Sequence, residues 1–304
     1  MGHAPTPRKI VYWALTTSAF LWGSGFAVAK FALGEVTPLE LLAGAGLFSA
    51  TTQLIWAGAR GRYHLLKLPG SIAPLVLGLA LAGQNVLSGL TYWGLAYTTA
   101  TNAALLYGFS PALIAVLAAL FLRERLTIWK LSGAAVGFLG VTLIITQGHW
   151  SSLEWRGMLI GNLIVFGATI YWAAYSVATR WVTQKIPAET YSFYILTVGA
   201  IIPVIWVWLE RRRFPLAGVH PQTLAAIAFM GIGTGTLAMN CWNWGLGEIE
   251  AARAGMFSYL EPVFAGLVAV VFLSERPSVA SLLGAAIVFT GIYLSTRQAT
   301  GSIS

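Results

Sequence analysis

The sequence contains Pro111-Ala-Leu-Ile-Ala-Val-Leu-Ala-Ala-Leu-Phe-Leu-Arg-Glu-Arg125 and, 151 positions later, Pro262-Val-Phe-Ala-Gly-Leu-Val-Ala-Val-Val-Phe-Leu-Ser-Glu-Arg276. The two stretches share their proline, their Phe-Leu pair and their Glu-Arg ending. The correspondence extends along the chain to Trp93-Gly-Leu95 with Trp244-Gly-Leu246, to Gly133-Ala-Ala135 with Gly284-Ala-Ala286, and, at an offset of 150, to Trp22 with Trp172 and Lys30 with Arg180. Matching residues at a nearly constant spacing of 150 or 151 positions indicate that the chain is an internal duplication.

The composition places the duplicated unit in a membrane. Of the 304 residues, 57% are hydrophobic and 9% are charged, whereas soluble domains carry about 25% charged residues. A transmembrane helix needs about 20 mostly apolar residues. The apolar stretches that meet this need are 10–29, 41–59, 68–122 (long enough for two spans, with a polar break at 97–102), 131–153, 157–179, 190–209, 214–247, 251–273 and 277–296.

We therefore predict an all-α integral membrane protein with ten transmembrane helices. The duplication divides it into a first five-helix repeat, residues 1–148, and a second five-helix repeat, residues 149–304, within one membrane domain. Because five is odd, consecutive copies must lie in opposite orientations across the bilayer. Inverted repeats of this kind are a recurrent basis for alternating access, with a substrate site near the midplane where the repeats meet.

The positive charge predicts an orientation. If the N-terminus lies inside, the inner ends of ten spans hold 12 of the 18 Lys and Arg residues, and the outer ends hold six. An excess of Lys and Arg is typical of cytoplasmic loops, so we predict both termini in the cytoplasm. The net charge of +8 is thereby explained by topology, and we predict the lipid bilayer as a partner and no nucleic acid.

Specific motifs resemble one family. Leu21-Trp-Gly-Ser-Gly-Phe26 in the first predicted span, and Tyr259-Leu-Glu-Pro-Val-Phe264 followed by Phe272-Leu-Ser-Glu-Arg276, resemble the EamA-type drug/metabolite transporter superfamily. The chain is most similar to members that export aromatic amino acids across bacterial inner membranes. The resemblance implies a multi-pass inner (plasma) membrane exporter of small molecules with a central cavity. One departure is Ser110, which stands in the first copy where the second has Glu261.

Polar and aromatic side chains within the predicted spans are candidates for lining that cavity, since polar groups in membranes face cavities or other helices. The candidates are Trp22, Gln84, Asn85, Ser88, Tyr92, Asn102, Tyr107, Trp172, Tyr175, Asn240, Asn243 and Tyr259. Hydrogen bonding or packing between helices is the alternative for each of them.

Glu261 is the acidic residue that lies deep in a predicted span. A carboxyl there would be protonated or paired, so it is a candidate for proton coupling or for contact with a substrate ammonium group. The alternative is a bond to backbone groups freed by Pro262, which has no N–H. Pro111 and Pro262 are predicted hinges. Glu248, Glu250 and Arg253, which cluster at a predicted inner loop, are interpreted as solvated, with gating as the alternative.

The sequence has few of the residue types that enzymes use for catalysis or for metal binding. The sequence has no Asp, one Cys (Cys241) and four His residues that are far apart, which disfavours an enzyme and predicts neither a metal nor a cofactor. The function we predict is export of amino acids, aromatic and other apolar ones included, or of related small metabolites. A drug or other metabolite exporter of the same superfamily is the main alternative, with a channel or an integral-membrane enzyme after it.

Overall fold

The computed structural model describes residues 7–62, 67–95, 97–149, 157–211, 216–273 and 278–296. Within these ranges the chain is helical, and they contain no β-strand. The helices of the first half are α1 (Arg8–Ala32), α2 (Pro38–Ala59), α3 (Ala73–Leu95), α4 (Ala100–Tyr107), α5 (Ser110–Leu122) and α6 (Ile128–Thr146). Those of the second half are α7 (Leu159–Thr183), α8 (Ala188–Val198), α9 (Ile201–Arg211), α10 (Pro221–Phe229), a π-helical segment (Met230–Ala238), α11 (Met239–Glu248), α12 (Ala251–Gly255), a 3₁₀ segment (Met256–Tyr259), α13 (Leu260–Leu273) and α14 (Val279–Thr296).

The described helices confirm an all-α membrane protein. In the part of the chain that the structure describes, eight helical stretches are long and apolar enough to cross a bilayer. They are Pro38–Ala59, Ala73–Thr91, Asn102–Leu122, Ile128–Thr146, Leu159–Thr183, Ala188–Glu210, Pro221–Glu248 and Val279–Thr296. The polar break predicted at 97–102 is confirmed, because α3 ends at Leu95 and α4 begins at Ala100.

Helix interruptions lie before prolines. The α4–α5 stretch is broken at Gly108 and Phe109, and α13 follows a 3₁₀ segment that ends at Tyr259. Pro111 and Pro262 stand at the first turn of the helix after each break. Proline clashes with the carbonyl four residues earlier and donates no hydrogen bond. Each break therefore falls where a continuous helix would place that clash.

The start of α6 differs from the prediction. The predicted apolar span begins at residue 131, after Lys130, but α6 runs from Ile128 to Thr146. Its first turn is capped by the Thr127 hydroxyl, which accepts from the Lys130 N–H at 3.3 Å. Lys130 is buried in this turn and hydrogen-bonded through its ammonium group. The prediction was wrong here because a charged residue is tolerated in a span end when its charge is paired.

The helices form two compact units, and each combines residues from both halves of the sequence. Unit 1 comprises residues 1–86 and 182–247, and unit 2 comprises residues 87–181 and 248–304. In unit 1, α1 and α2 pack against the π-helical segment. In unit 2, α6 and α14 form the most extensive helix pair.

Glycines explain the close approach of α6 and α14. A Cβ atom on Gly140 would lie 2.7 Å from the Gly284 carbonyl oxygen, and one on Gly133 would lie 2.6 Å from the Gly291 carbonyl oxygen. Small residues allow helix backbones to approach closely in membranes. The glycines that the repeat alignment pairs, Gly133 and Gly284, thus both lie in one helix–helix contact.

Helix bounds recur between the two halves of the chain. The helices α1 and α7 each have 25 residues, starting at 8 and 159 and ending at 32 and 183. The stretch from α4 to α5 spans 100–122, and the stretch from α12 to α13 spans 251–273. Each pair of bounds differs by 151 residues, the offset of the Pro111 and Pro262 stretches and one more than the offset of Trp22 and Trp172.

Candidate substrate-handling site

In unit 1, Trp22 joins α1 to the π-helical segment. Its indole Nε1 donates to the carbonyl oxygen of Thr234 at 3.1 Å, and its ring lies 5.4 Å from that of Trp242, tilted by 56°. One turn earlier, the Ser18 hydroxyl donates to the Ala238 carbonyl oxygen at 3.0 Å. The i→i+5 pattern of a π-helix is often found at functional sites. Here two of its carbonyl groups accept hydrogen bonds from α1.

The α2 side of the same segment carries a second polar contact. The hydroxyls of Ser49 and Thr236 lie 3.0 Å apart. Asn240 donates through its amide to the Gln53 side-chain oxygen at 3.3 Å and to the Thr236 carbonyl at 2.8 Å. Gln53 is buried, while Asn240 is half-buried. Asn240 therefore serves as an interhelical contact and still has an accessible part.

The other unit 1 candidates also bond to neighbouring helices. Asn243, fully buried on α11, donates to the Ser192 hydroxyl at 2.9 Å. Asn85 on α3 donates to the Gly199 carbonyl oxygen at 3.2 Å, at the break between α8 and α9. The side chain of Gln84 lies outside the described part of the structure.

In unit 2, Asn102 belongs to a buried amide cluster at the start of α4. Its side-chain amide donates to the Asn162 side-chain oxygen at 3.5 Å and to the Thr98 hydroxyl at 3.4 Å. Thr98 itself donates to the same Asn162 oxygen at 2.5 Å. This cluster joins the chain before α4 to α7. Asn162 is not among the residues predicted from the sequence to line the cavity, because its pairing with Asn102 and Thr98 depends on a tertiary contact with α7.

The aromatic residues of unit 2 that were predicted to line the cavity differ in how exposed their side chains are. The Trp172 and Tyr175 rings stack at 5.8 Å with 18° between their planes; Tyr175 is buried and Trp172 is half-buried. Tyr107 is half-buried and hydrogen-bonds through its hydroxyl to Thr91. Ser88 is half-buried on α3, and the side chain of Tyr92 lies outside the described part of the structure.

Tyr259 is held against α6 by both its ring and its hydroxyl. The hydroxyl donates to the Ala134 carbonyl oxygen at 3.1 Å, and the ring lies over Gly137. It is almost fully buried. The contact corresponds to the packing alternative that the sequence left open for this residue.

Glu261 lies in the first turn of α13, directly before Pro262, and is half-buried. A carboxylate in the first turn interacts favourably with the positive end of a helix. At this helix start the Glu261 side chain faces a favourable helix dipole, and part of it remains accessible.

A network of charges lies where α5, α6 and α12 meet in unit 2. Glu250 lies 3.0 Å from the Lys130 ammonium group and 2.9 Å from Arg253 Nε. The side chain of Arg253 is 18% exposed and that of Lys130 is 2% exposed. The interpretation of Arg253 as a solvated loop residue is therefore wrong. Sequence reasoning missed Lys130, although a lysine at the edge of an apolar span was the available signal.

A second charged contact lies outside the helices of unit 1. Glu35, between α1 and α2, accepts from the His220 backbone N–H at 2.9 Å and lies 2.7 Å from His220 Nδ1. Hydrogen bonds from the Thr223 side chain, then from the His220 backbone and ring, lower the pKa of Glu35 to about 2. Among the described residues, no three His, Cys, Asp or Glu side chains come together in a way that would hold a metal ion.

Comparison with known proteins gives one consistent family. A sequence model described as the EamA-like transporter family matches residues 9–146 and again residues 159–297. The chain is 29% identical over 286 residues to the uncharacterized transporter YyaM of Bacillus subtilis, covering 93% of this chain and 92% of YyaM. It is 24% identical to a probable terminal-alkyne amino-acid exporter of Streptantibioticus cattleyicolor, covering 95% of this chain and 94% of the exporter. A crystal structure with 24% identity superimposes with a TM-score of 0.78 over 93% of this chain and 95% of the other.

Proposed function

Because the chain belongs to the EamA-like transporter family, we propose that it exports amino acids, aromatic and other apolar ones included, or related small metabolites. The observation that carries the proposal is the twofold match of the family model, whose two parts coincide with the recurring helix bounds. A chain built twice from one membrane unit has the organisation that alternating access uses. The sequence motifs and the amino-acid exporter among its relatives support the substrate class.

The topology we propose has ten spans in two inverted five-helix repeats, residues 1–148 and 149–304. It adds α1 and the stretch from α12 to α13 to the eight apolar stretches of the described residues. Both termini are then cytoplasmic, as the distribution of Lys and Arg favours, in the cell's inner (plasma) membrane.

Two aromatic positions are proposed to bind the apolar part of the substrate. Trp22 on α1 and Trp172 on α7 are equivalent in the duplication, both are half-buried, and each has an aromatic neighbour, Trp242 or Tyr175. Aromatic rings bind other rings in offset or edge-on geometry. The proposal assigns this contact to the accessible part of each half-buried indole, which its neighbouring ring holds in place.

Polar contacts to the substrate are proposed for the half-buried candidates Asn85, Ser88, Tyr107 and Asn240. The fully buried candidates Asn102, Tyr175, Asn243 and Tyr259 support that set by fixing the helices that carry it. Glu261 is proposed as a coupling residue or as the partner of a substrate ammonium group, and Pro111 and Pro262 as hinges.

Counterflow into liposomes tests the function. Purified protein is reconstituted into vesicles loaded with unlabelled phenylalanine, and uptake of external labelled phenylalanine is measured. We expect saturable uptake, and we expect Trp22→Leu to raise KM about three- to tenfold through lost ring contact. Trp13→Leu, an exposed tryptophan of the same helix, is the matched control. Movement of another solute class with no amino acid transported would overturn the substrate proposal, and uptake that rises linearly with concentration would indicate a channel.

Glu261→Gln tests the coupling role separately. If Glu261 carries a proton during transport, the variant loses stimulation by an imposed pH gradient while retaining exchange of substrate for substrate. If it binds the ammonium group, exchange itself weakens. Transport that is unchanged in both assays would remove Glu261 from the mechanism.

A further inference from the structure

The corner after α5, residues 123–125, places the carboxylate of Glu124 next to the start of α12. Arg123 caps α5 in the left-handed conformation with φ +57°, a region that non-glycine residues adopt at a cost of about 1–2 kcal/mol. The following N–H, that of Glu124, returns to the Ala118 carbonyl oxygen at 3.3 Å, which closes the helix end. The helix therefore ends at Arg123, and Glu124 is the first residue after the cap.

The carboxylate of Glu124 binds the start of α12. One oxygen accepts from the Ala251 N–H at 2.7 Å and the other from the Ala252 N–H at 3.1 Å. The first N–H groups of a helix have no partner within the helix, and a carboxylate there gains from the helix dipole. Glu124 follows the fourth predicted span of the first repeat. It caps α12, which begins the fourth predicted span of the second repeat.

Lys130 ties the same two regions together a second time. Its ammonium group donates to the Arg125 carbonyl oxygen at 2.7 Å and to Glu250 at 3.0 Å. Glu250 also pairs with Arg253, and the Arg180 guanidinium interacts electrostatically with Glu124, Glu248 and Glu250. The junction therefore combines positive and negative side chains, and the burial of Lys130 is offset by two hydrogen bonds.

Beneath the charges, the contact between α5 and α12 is made by small residues. Ala251, Ala252 and Ala254 are fully buried, and a Cβ atom on Gly255 would lie 3.2 Å from the Ile114 side chain. Small side chains bury little apolar area, and hydrophobic stabilisation is proportional to area. These small residues therefore contribute little apolar area at the end of the two helices where the charged contacts lie.

We propose that Glu124 and Lys130 act as positioning residues that form an inner latch, here defined as Glu124, Lys130 and Glu250, which is closed in this structure and opens once in each transport cycle. The proposal rests on the proposed function, because alternating access requires the cytoplasmic end to open. A charged latch suits a reversible contact. The desolvation cost of a buried ion pair nearly cancels its attraction, and its members regain water when the junction opens at the membrane surface.

Thiol labelling tests the latch without any substrate. In a Cys241→Ser background, Ala254→Cys places a reporter in the buried junction, and Ala168→Cys places one in buried α7 of the same unit. Inside-out vesicles are exposed to a membrane-impermeant maleimide. With the latch residues unchanged, we expect slow labelling of the cysteine at 254 and of the cysteine at 168. Glu124→Gln and Lys130→Met should raise labelling of Cys at 254 about tenfold, as expected for loss of a charge-assisted hydrogen bond, and leave Cys at 168 unchanged.

The matched control is Arg125→Gln, which removes an exposed charge from the same corner and should leave labelling at 254 at the wild-type rate. Ala251→Cys serves as the junction reporter if Ala254→Cys does not fold. Faster labelling at both reporters would reflect general loosening and would overturn the latch, as would no change at either. Because no transported compound is involved, failure of amino-acid export in liposomes and failure of the latch give different results.

Discussion

The ring of Tyr259 lies over Gly137, and the Tyr259 hydroxyl donates a hydrogen bond to the carbonyl oxygen of Ala134, 3.1 Å away. Ring and hydroxyl together fix the 3₁₀ segment before α13 against α6. Because Pro262 follows three residues later, this contact holds the chain at the point where the helical stretch is interrupted. The ring leaves no room for a side chain at Gly137.

Gly137→Ala should destabilise the protein. The added Cβ would lie 2.5 Å from one ring atom of Tyr259, and the ring cannot move away without losing its bond to Ala134. Overpacking of this kind costs roughly 1–3 kcal/mol, measured as a lower thermal unfolding temperature in detergent. Gly266→Ala, on α13 with no neighbour within 4 Å of its Cβ position, is the control and should not lower that temperature. Equal unfolding temperatures for both variants would contradict the contact.

Gly140→Ala should separate α6 from α14. Its Cβ would meet the Gly284 carbonyl oxygen and the Val288 backbone nitrogen, each at 2.7 Å. Backbone atoms cannot rotate away as a side chain can, so we expect the loss to reach the upper part of the roughly 1–3 kcal/mol range. Gly167→Ala on α7 meets nothing within 4 Å and should be neutral or stabilising, since glycine weakens a helix interior by roughly 0.5–1 kcal/mol.

Ser18→Ala should weaken the attachment of α1 to the π-helical segment. The variant loses the bond from the Ser18 hydroxyl to the Ala238 carbonyl oxygen, which we expect to lower the free energy of unfolding by roughly 0.6–2 kcal/mol. Thr17→Ala removes the neighbouring hydroxyl, whose bond returns to Trp13 in its own helix at an exposed position, and should have a smaller effect. Unfolding temperatures in detergent that rank the two variants in the opposite order would contradict this role of Ser18.

Glu35→Gln should remove a pH-dependent part of the stability. The pKa of Glu35 is lowered to about 2 by hydrogen bonds from Thr223 and His220, and a carboxyl with a lowered pKa stabilises the fold above its unfolded-state value. That contribution is lost as pH falls from about 4.5 towards 2. The unfolding temperature of the wild type should therefore fall more steeply than that of the variant in this window.

The matched control for that titration is Glu210→Gln, which removes an exposed carboxyl at the end of α9. Its unfolding temperature should follow the wild-type curve across the same pH range. Parallel curves for the wild type and Glu35→Gln would show that the contact with Thr223 and His220 does not form.

Much of the helical framework could be predicted, because its determinants are local. Apolar length gives the eight stretches that the described residues confirm. The polar residues at 97–102 give the turn between α3 and α4, and proline gives the interruptions before Pro111 and Pro262. The faces of the helices could not be predicted in the same way. Helices that are apolar all round carry no amphipathic pattern that distinguishes one face from another, so the packing of Tyr259 on α6 had no sequence signal.

The sequence by itself determined an all-α membrane protein and the equivalence of α1 with α7, because composition and a repeated spacing are properties of the chain alone. Tertiary structure decided which polar groups meet. Ser18 reaches Ala238 across 220 positions, and Glu124 reaches Ala251 across 127. Such partners are decided by where the helices pack and by the need of every buried polar group for a hydrogen bond. The residues adjacent in sequence determine neither of these.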